Sequence, residues 1–202
     1  MEIVFATGNA HKAAEAQSIL GSSFAVIMPK ELGIAEEIPE TGATLEENAI
    51  EKCTYLWERC GKPCFADDTG LEVEALDGAP GVHTARYAGE DKRSEANMEK
   101  LLSELQNLGP EYMTVARRKA RFRTVIAYKD GNGRLYTFEG ILNGHIACKK
   151  SGSGGFGYDP VFVPDEADGG KTLAEVSPET KNAISHRGKA VRKLKEFLEH
   201  DK

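Results

Sequence analysis

Two β-rich runs, Arg121–Tyr128 and Arg134–Leu142, flank the segment Asp130-Gly131-Asn132-Gly133, and this feature limits the possible folds most sharply. Asp-Gly and Asn-Gly supply the left-handed residues of a tight hairpin, so the two runs are expected to pair antiparallel. The N-terminal region points to a different pairing. Glu2–Ala6 is a short β-rich run, Thr7-Gly8-Asn9 is turn chemistry, and Ala10–Leu20 is rich in helix formers, which is the strand-then-helix order of a parallel unit. One chain carrying both signals predicts an α/β fold with a mixed, twisted sheet and flanking helices.

Further elements fit that frame. Thr44-x-x-Glu47 is a capping box, and Leu45, Ala49, Cys53 and Leu56 follow at helical spacing until Gly61. Pro63–Ala66 reads as a short buried strand that ends at Asp67-Asp68-Thr69-Gly70. Ser94–Leu108 presents Met98, Leu101, Leu102, Leu105 and Leu108 on one helical face before Gly109-Pro110. After the glycine-rich stretch Ser151 to Gly157, Pro160–Val163 is a further short strand. The C-terminal region is helical, and both Ser177, followed by Pro178, and Ser185 are cap candidates, which allows two consecutive helices. The sequence has no internal repeat, no low-complexity tract and no obvious linker. Its 202 residues are enough for one sizeable core and at most two compact lobes.

Charge narrows the function. A formal net charge of −6 argues against a broad nucleic-acid-binding surface, which needs a basic excess. It leaves phosphate-bearing small substrates open, because a few Lys and Arg residues and a bound cation neutralise a triphosphate locally. No apolar run approaches the length of a membrane span, and the N-terminus reads as a first strand, so a cytoplasmic protein is expected. Cys53, Cys60, Cys64 and Cys148 form no C-x-x-C pair, and in that compartment they are expected to be reduced and without assigned function.

Four segments could carry chemistry. Thr7-Gly8-Asn9-Ala10-His11-Lys12 lies between a strand and a helix, where backbone N–H groups favour an anion and Lys12 can neutralise a phosphate; the alternative is an ordinary turn with a solvated lysine. Asp67-Asp68 follows a buried strand, with Glu40 in an upstream loop, and hard carboxylates suit Mg²⁺. The plainer alternative has Asp68 capping a turn before Gly70. In Phe156-Gly157-Tyr158-Asp159 the flanking glycines could present a ring to a planar base, or Phe156 could fold into the core. Lys181 and the segment Ser185-His186-Arg187-Gly188 could donate to phosphate and to a base carbonyl, or simply belong to a solvated helix face.

Taken together and in order, these segments resemble the inosine triphosphate pyrophosphatase family, also called the XTP/dITP diphosphatases. The resemblance rests on Ala6-Thr7-Gly8-Asn9…Lys12, Glu40-Thr41-Gly42, Glu47-Asn48-Ala49, Ala66-Asp67-Asp68-Thr69-Gly70-Leu71, Gly78-Ala79-Pro80-Gly81, Ala85-Arg86-Tyr87, Phe156-Gly157-Tyr158-Asp159-Pro160 and Ser185-His186-Arg187-Gly188, and it covers nearly the whole chain. It implies one pyrophosphatase domain over residues 1–202, elongated and two-lobed with a substrate cleft between the lobes, working as a homodimer. The implied reaction is hydrolysis of ITP, dITP or XTP to the monophosphate and pyrophosphate with Mg²⁺, without nucleic-acid or membrane partners. By position, Thr7 to Lys12 would hold phosphate, Asp68 would be proton acceptor and metal contact, and Glu40 would assist the metal. Thr69, Phe156, Gly157, Tyr158, Asp159, Lys181, His186 and Arg187 would bind substrate, with Arg187 and His186 reading the 6-oxo group of the base. Lys52 is open to a phosphate contact, and Asp67 is expected to matter less than Asp68. Thr69 stands where serine is frequent in the family, and His83 where tyrosine is.

Overall fold

The computed structural model describes residues 1–200. Its sheet contains strands β1 (Glu2–Phe5), β2 (Ala25–Ile27), β3 (Cys64–Val73), β4 (Pro80–Gly81), β5 (Lys119–Lys129), β6 (Leu135–Ile146) and β7 (Phe162–Pro164). Five α-helices accompany it: α1 (Ala10–Leu20), α2 (Leu45–Cys60), α3 (Ser94–Asn107), α4 (Pro178–Ile184) and α5 (His186–His200). The strand order is β2-β1-β3-β5-β6-β7, with β4 paired to β3. β1 pairs parallel with β2 and β3, while β3–β4 and β6–β7 are antiparallel, so the sheet is mixed as the sequence implied. No helix among the described residues is long and apolar enough to cross a membrane.

The chain divides into two compact units, and β3, β5 and β6 each contribute residues to both. The first comprises Met1–Thr69, Thr124–Gly140 and His186–Lys202. In it Ile3, Val4 and Phe5 of β1 are all fully buried, as a strand covered on both faces requires. Phe5 stacks on Phe65 of β3 with ring centroids 4.2 Å apart. Leu20 of α1 and Val191 and Leu194 of α5 join that core, each contributing about 1.5–3 kcal/mol by leaving water.

Local signals set the boundaries of this unit. Asn9 caps α1 by accepting from the backbone N–H groups of His11 and Lys12. Thr44 and Glu47 form the expected capping box of α2, which stops at Gly61 in the left-handed conformation. At the hairpin, the Asp130 carboxylate accepts from Asn132 N and Arg134 N. The Trp57 indole N–H donates to Asp130 O at 3.0 Å, and at Gly133, whose φ is +80°, a Cβ would lie 2.9 Å from the Trp57 ring.

The second unit comprises Gly70–Arg123 and Ile141–Ser185. Its core gathers Leu71, Val73, Leu101, Leu105, Phe122 and Phe162. Ser177 caps α4 with Pro178 at its first position, and α5 follows directly, so the C-terminal region is indeed two helices. All four cysteines are free.

One boundary differs from expectation. β3 does not stop before the acidic pair but runs from Cys64 through Asp67, Asp68, Thr69 and Gly70 to Val73. Asp, Asp and Gly are poor strand formers taken alone. Here both carboxylates are neutralised by lysines from neighbouring helices, and tertiary pairing overrides local preference.

Candidate active site

Parallel pairing fixes where the acids stand. Phe5, the last residue of β1, lies opposite Phe65. β3 therefore continues beyond its neighbour, and Asp67 and Asp68 emerge beside the loop that follows β1. That is the carboxyl end of a parallel pair, where α/β proteins gather ligands. In the loop, Thr7 is nearly buried and its hydroxyl accepts from Asn9 N at 3.1 Å. Gly8, Asn9, Ala10 and His11 are exposed, and a Cβ built on Gly8 meets nothing within 4 Å.

Successive strand residues face opposite sides, so the two acids acquire different partners. Asp67 shares its face with Phe65, against α1 and α5. Both its oxygens accept from Lys12 Nζ, at 2.9 and 3.0 Å, and Oδ2 also accepts from Arg187 Nε at 3.0 Å. Arg187 Nη1 donates to Glu15 Oε2 at 2.9 Å. Burial by itself would raise the Asp67 carboxyl, but the charges of Lys12, Arg187 and Lys52 outweigh it and hold the group well below the usual carboxylate range. The same network holds the buried Arg187 cation above its ordinary value, against the opposing effect of burial.

Asp68 faces α2. Its Oδ1 accepts from Lys52 Nζ at 2.9 Å and its Oδ2 from Asn48 Nδ2 at 3.2 Å. Lys52 Nζ also donates to Glu40 Oε1 at 2.7 Å. Burial pushes the Asp68 carboxyl upward and prevails over the lowering effect of Lys52 and Asn48. Two adjacent carboxyls are thus driven apart, Asp67 fixed as an anion and Asp68 made more basic, a division typical of acid–base sites. Lys52 itself is raised, because Asp68, Asp67 and Glu40 together overcome the burial that opposes its charge.

α2 also positions Glu40. Asn48 Oδ1 accepts from Gly42 N at 2.8 Å, and the Glu51 carboxylate accepts from both N and Oγ1 of Thr41, at 2.6 and 2.8 Å. A Cβ on Gly42 would lie 2.6 Å from Glu47 Cβ, so only glycine lets the loop press onto the helix. Asp68 and Glu40 consequently direct one oxygen each at a single cationic point, the Lys52 ammonium. No group of three or more His, Cys, Asp or Glu residues suited to a metal occurs among the described residues. Two hard carboxylate oxygens converging on one cation nevertheless fit Mg²⁺, which takes one or two protein carboxylates and leaves the rest to water and phosphate.

Other predicted residues fall as follows. Thr69 Oγ1 lies 2.8 Å from Thr124 Oγ1, which lies 2.6 Å from His186 Nδ1. In the second unit Phe156 is 70% exposed, so the ring does not fold into the core. Asp159 Oδ2 accepts from Phe156 N at 2.7 Å and from Lys181 Nζ at 2.5 Å, and Lys181 Nζ lies 4.4 Å from the Phe156 ring centroid. Gly155, with φ of +75°, has no room for a Cβ, which would meet Asp159 Oδ2 at 2.1 Å. Tyr158 also lies in the second unit. It is buried and donates to Thr84 O at 2.9 Å, because its apolar ring completes the core of its unit. Arg187 is buried, and its Nε and Nη1 donate to Asp67 and Glu15, the acidic partners a buried guanidinium requires.

Sequence reasoning assigned no role to Glu15, Asn48, Glu51 or Thr124. A signal existed for two of them: Asn48 is an inward polar residue beside Leu45, Ala49 and Cys53 on α2, and Thr124 one between Phe122 and Ile126 on β5.

A mixed sheet that carries adjacent carboxylates pushed in opposite directions beside an exposed loop at a helix N-terminus defines an α/β protein with a candidate acid–base site. A model of the Ham1 family matches residues 3–197. A dITP/XTP pyrophosphatase of Porphyromonas gingivalis is 51% identical over 199 residues, covering 98% of this chain and 97% of that protein. The Bacillus subtilis protein of the same name is 44% identical, covering 98% and 97% respectively. The solved structure of the Staphylococcus aureus Ham1 protein matches with a TM-score of 0.89 at 42% identity over 100% of both chains. The chain belongs to the Ham1 family.

Proposed function

We infer that this protein hydrolyses non-standard purine nucleoside triphosphates, of the inosine and xanthosine type, to the monophosphate and pyrophosphate, and so clears them from the nucleotide pool. The relatives' names, dITP/XTP pyrophosphatase, support the substrate class. The single structural observation behind the chemistry is Asp68, a carboxyl made more basic by burial beside the exposed Thr7-to-Lys12 loop.

Asp68 is the proton acceptor for the attacking water, and Asn48 and Lys52 hold its two oxygens in place. Asp68 and Glu40 would hold Mg²⁺, which when bound would neutralise charge on phosphate oxygens. Lys12 and the backbone of the loop bind phosphate, and Lys52 adds positive charge beside Asp68 and Glu40. Phe156 stacks the base, with Asp159 and Lys181 bracing its loop. Thr69, His186 and Arg187 complete the substrate contacts. The same reading makes the protein a cytoplasmic homodimer, which fractionation and light scattering test.

The deciding experiment is a panel of ITP, dITP, XTP, GTP, ATP and pyrimidine triphosphates assayed with and without Mg²⁺, with the products separated by anion exchange. IMP and pyrophosphate should appear together from ITP, and only with the metal. Accumulation of IDP and orthophosphate, or equal turnover of ATP, would overturn the reading.

A further inference from the structure

Thr124 is fully buried in β5, yet it carries a hydroxyl on the face where its neighbours Phe122 and Ile126 are apolar. A lone hydroxyl there must find partners, and it finds two: Thr69 Oγ1 at 2.8 Å and His186 Nδ1 at 2.6 Å. Both partners belong to the substrate contacts proposed above, so the inference rests on that reading. The first turn of α5 is seated with equal care. At Gly140 of β6 a Cβ would meet His186 O at 2.0 Å and Ala190 N at 2.6 Å, so only glycine lets the helix start approach the strand. The close strand places the His186 backbone, and Thr124 holds its ring.

A threonine hydroxyl has one proton to give, so two orders run through all three groups in one direction. In one, Thr69 donates to Thr124 and Thr124 donates to a bare Nδ1, so the imidazole carries its proton on Nε2. In the other, a protonated Nδ1 donates to Thr124 and Thr124 donates to Thr69. The first order leaves Nε2–H as the donor at the histidine end; the second leaves the Thr69 hydroxyl proton as the donor at the other end. A separation of 2.6 Å is short for an N–H donor, whose contacts cluster near 2.9–3.0 Å, and closer to the range of hydroxyl donors.

We propose that Thr124 is a positioning residue for the hydrolytic reaction: its hydroxyl fixes His186 as the Nε2–H tautomer and holds Thr69 in register, so that a substrate acceptor oxygen always meets an imidazole N–H. Thr124 touches no substrate itself. Its effect passes through two side chains that do, and it falls mainly on KM.

Four variants and one spectrum test this. The nitrogen-15 spectrum of the full-length protein at about pH 8.5, where histidine is ordinarily neutral, with the His186 signal assigned by its loss in His186→Asn, should show Nδ1 bare and Nε2 protonated. Thr124→Val keeps the branched shape and removes the hydroxyl. It should shift His186 toward a mixture of tautomers and raise KM for ITP by ~10-fold to ~100-fold, and Thr124→Ser should restore both. A protonated Nδ1 in the unmodified protein, or a Thr124→Val variant with unchanged KM, would overturn the proposal. The wild-type spectrum and Thr124→Ser decide the matter even if Thr124→Val does not fold. Thr69→Val and His186→Asn separate the two levels. If they raise KM and Thr124→Val does not, only the positioning role fails; if neither raises it, the substrate contacts assigned to them fail too.

Discussion

Asp67 and Asp68 share a strand, a residue type and nearly the same position, yet they lie on opposite faces of β3 and in opposite electrostatic states. Asp67 is 2% exposed and accepts from Lys12 and Arg187, cations on two different helices. Asp68 keeps more access to solvent and accepts from Lys52 and Asn48 of a single helix. The Asp67 carboxyl sits below the ordinary range and the Asp68 carboxyl above it. Residue type did not decide this, because the faces differ in how much cationic charge they bring against the same burial. An anion that is already saturated can hold helices in place and do little else, whereas an anion held at some cost retains an appetite for a proton or a metal.

The largest effect should come from removing the saturated anion. Asp67→Asn keeps the volume but leaves the Lys12 and Arg187 charges without their shared partner. Breaking a buried ion pair from one side costs about 3–5 kcal/mol, and urea unfolding should register that loss. A variant as stable as the parent would mean that Asp67 is not the tie between α1 and α5. Glu15 tempers the effect, because it still pairs with Arg187.

Asp68→Asn should invert the pattern. The fold should survive, since Lys52 retains Glu40 and the charge of Asp67, while kcat falls by at least ~10²-fold, or about 2.7 kcal/mol of transition-state stabilisation. Turnover close to normal at saturating Mg²⁺ would remove Asp68 from the chemistry. An equal loss of stability in the Asp67 and Asp68 variants would erase the distinction between the two faces.

How much of this was legible in the sequence follows the range of the interactions involved. Helix α1, the capping box of α2, the Asp130 hairpin and the two-helix C-terminus rest on local chemistry, and each was readable. The acidic pair was recognised as a site but placed after the strand, because the lysines that let it continue as strand lie 55 and 16 residues away. The family resemblance gives the acceptor role to Asp68 and none to Asp67. Its partner Arg187 is 120 residues distant, and no local pattern reports such a pair. Phe156 is a different case: its flanking glycines left a presented ring and a buried one both open, and the ring is exposed. Asn48 left a trace as a polar residue in an apolar helical stripe, yet its two hydrogen bonds needed coordinates to be seen.

The smallest expected effect concerns pH, and it sharpens the comparison most. The native carboxyl of Asp67 lies below its unfolded value of about 3.9. The unfolded chain therefore takes up the proton first on acidification. The contribution of Asp67 to stability is complete above about pH 4 and is lost as pH falls through the native value. The gap between the parent and Asp67→Asn should accordingly stay constant from neutrality down to about pH 4 and close below it. Asp68 has the reverse sign. Its native carboxyl is raised, so the folded protein binds the proton more tightly than the unfolded chain, and the ionised form is a cost that acid relieves. Asp68→Asn should thus be slightly more stable than the parent at neutral pH, with that advantage shrinking before pH 4 is reached. Melting temperatures of the three proteins measured across this range read both gaps directly. Two gaps of opposite sign, the Asp68 gap closing at the higher pH, would confirm that adjacent acids were assigned to frame and to chemistry. Gaps of the same sign, closing together, would mean that the pair titrates as a unit and the division between the faces does not exist.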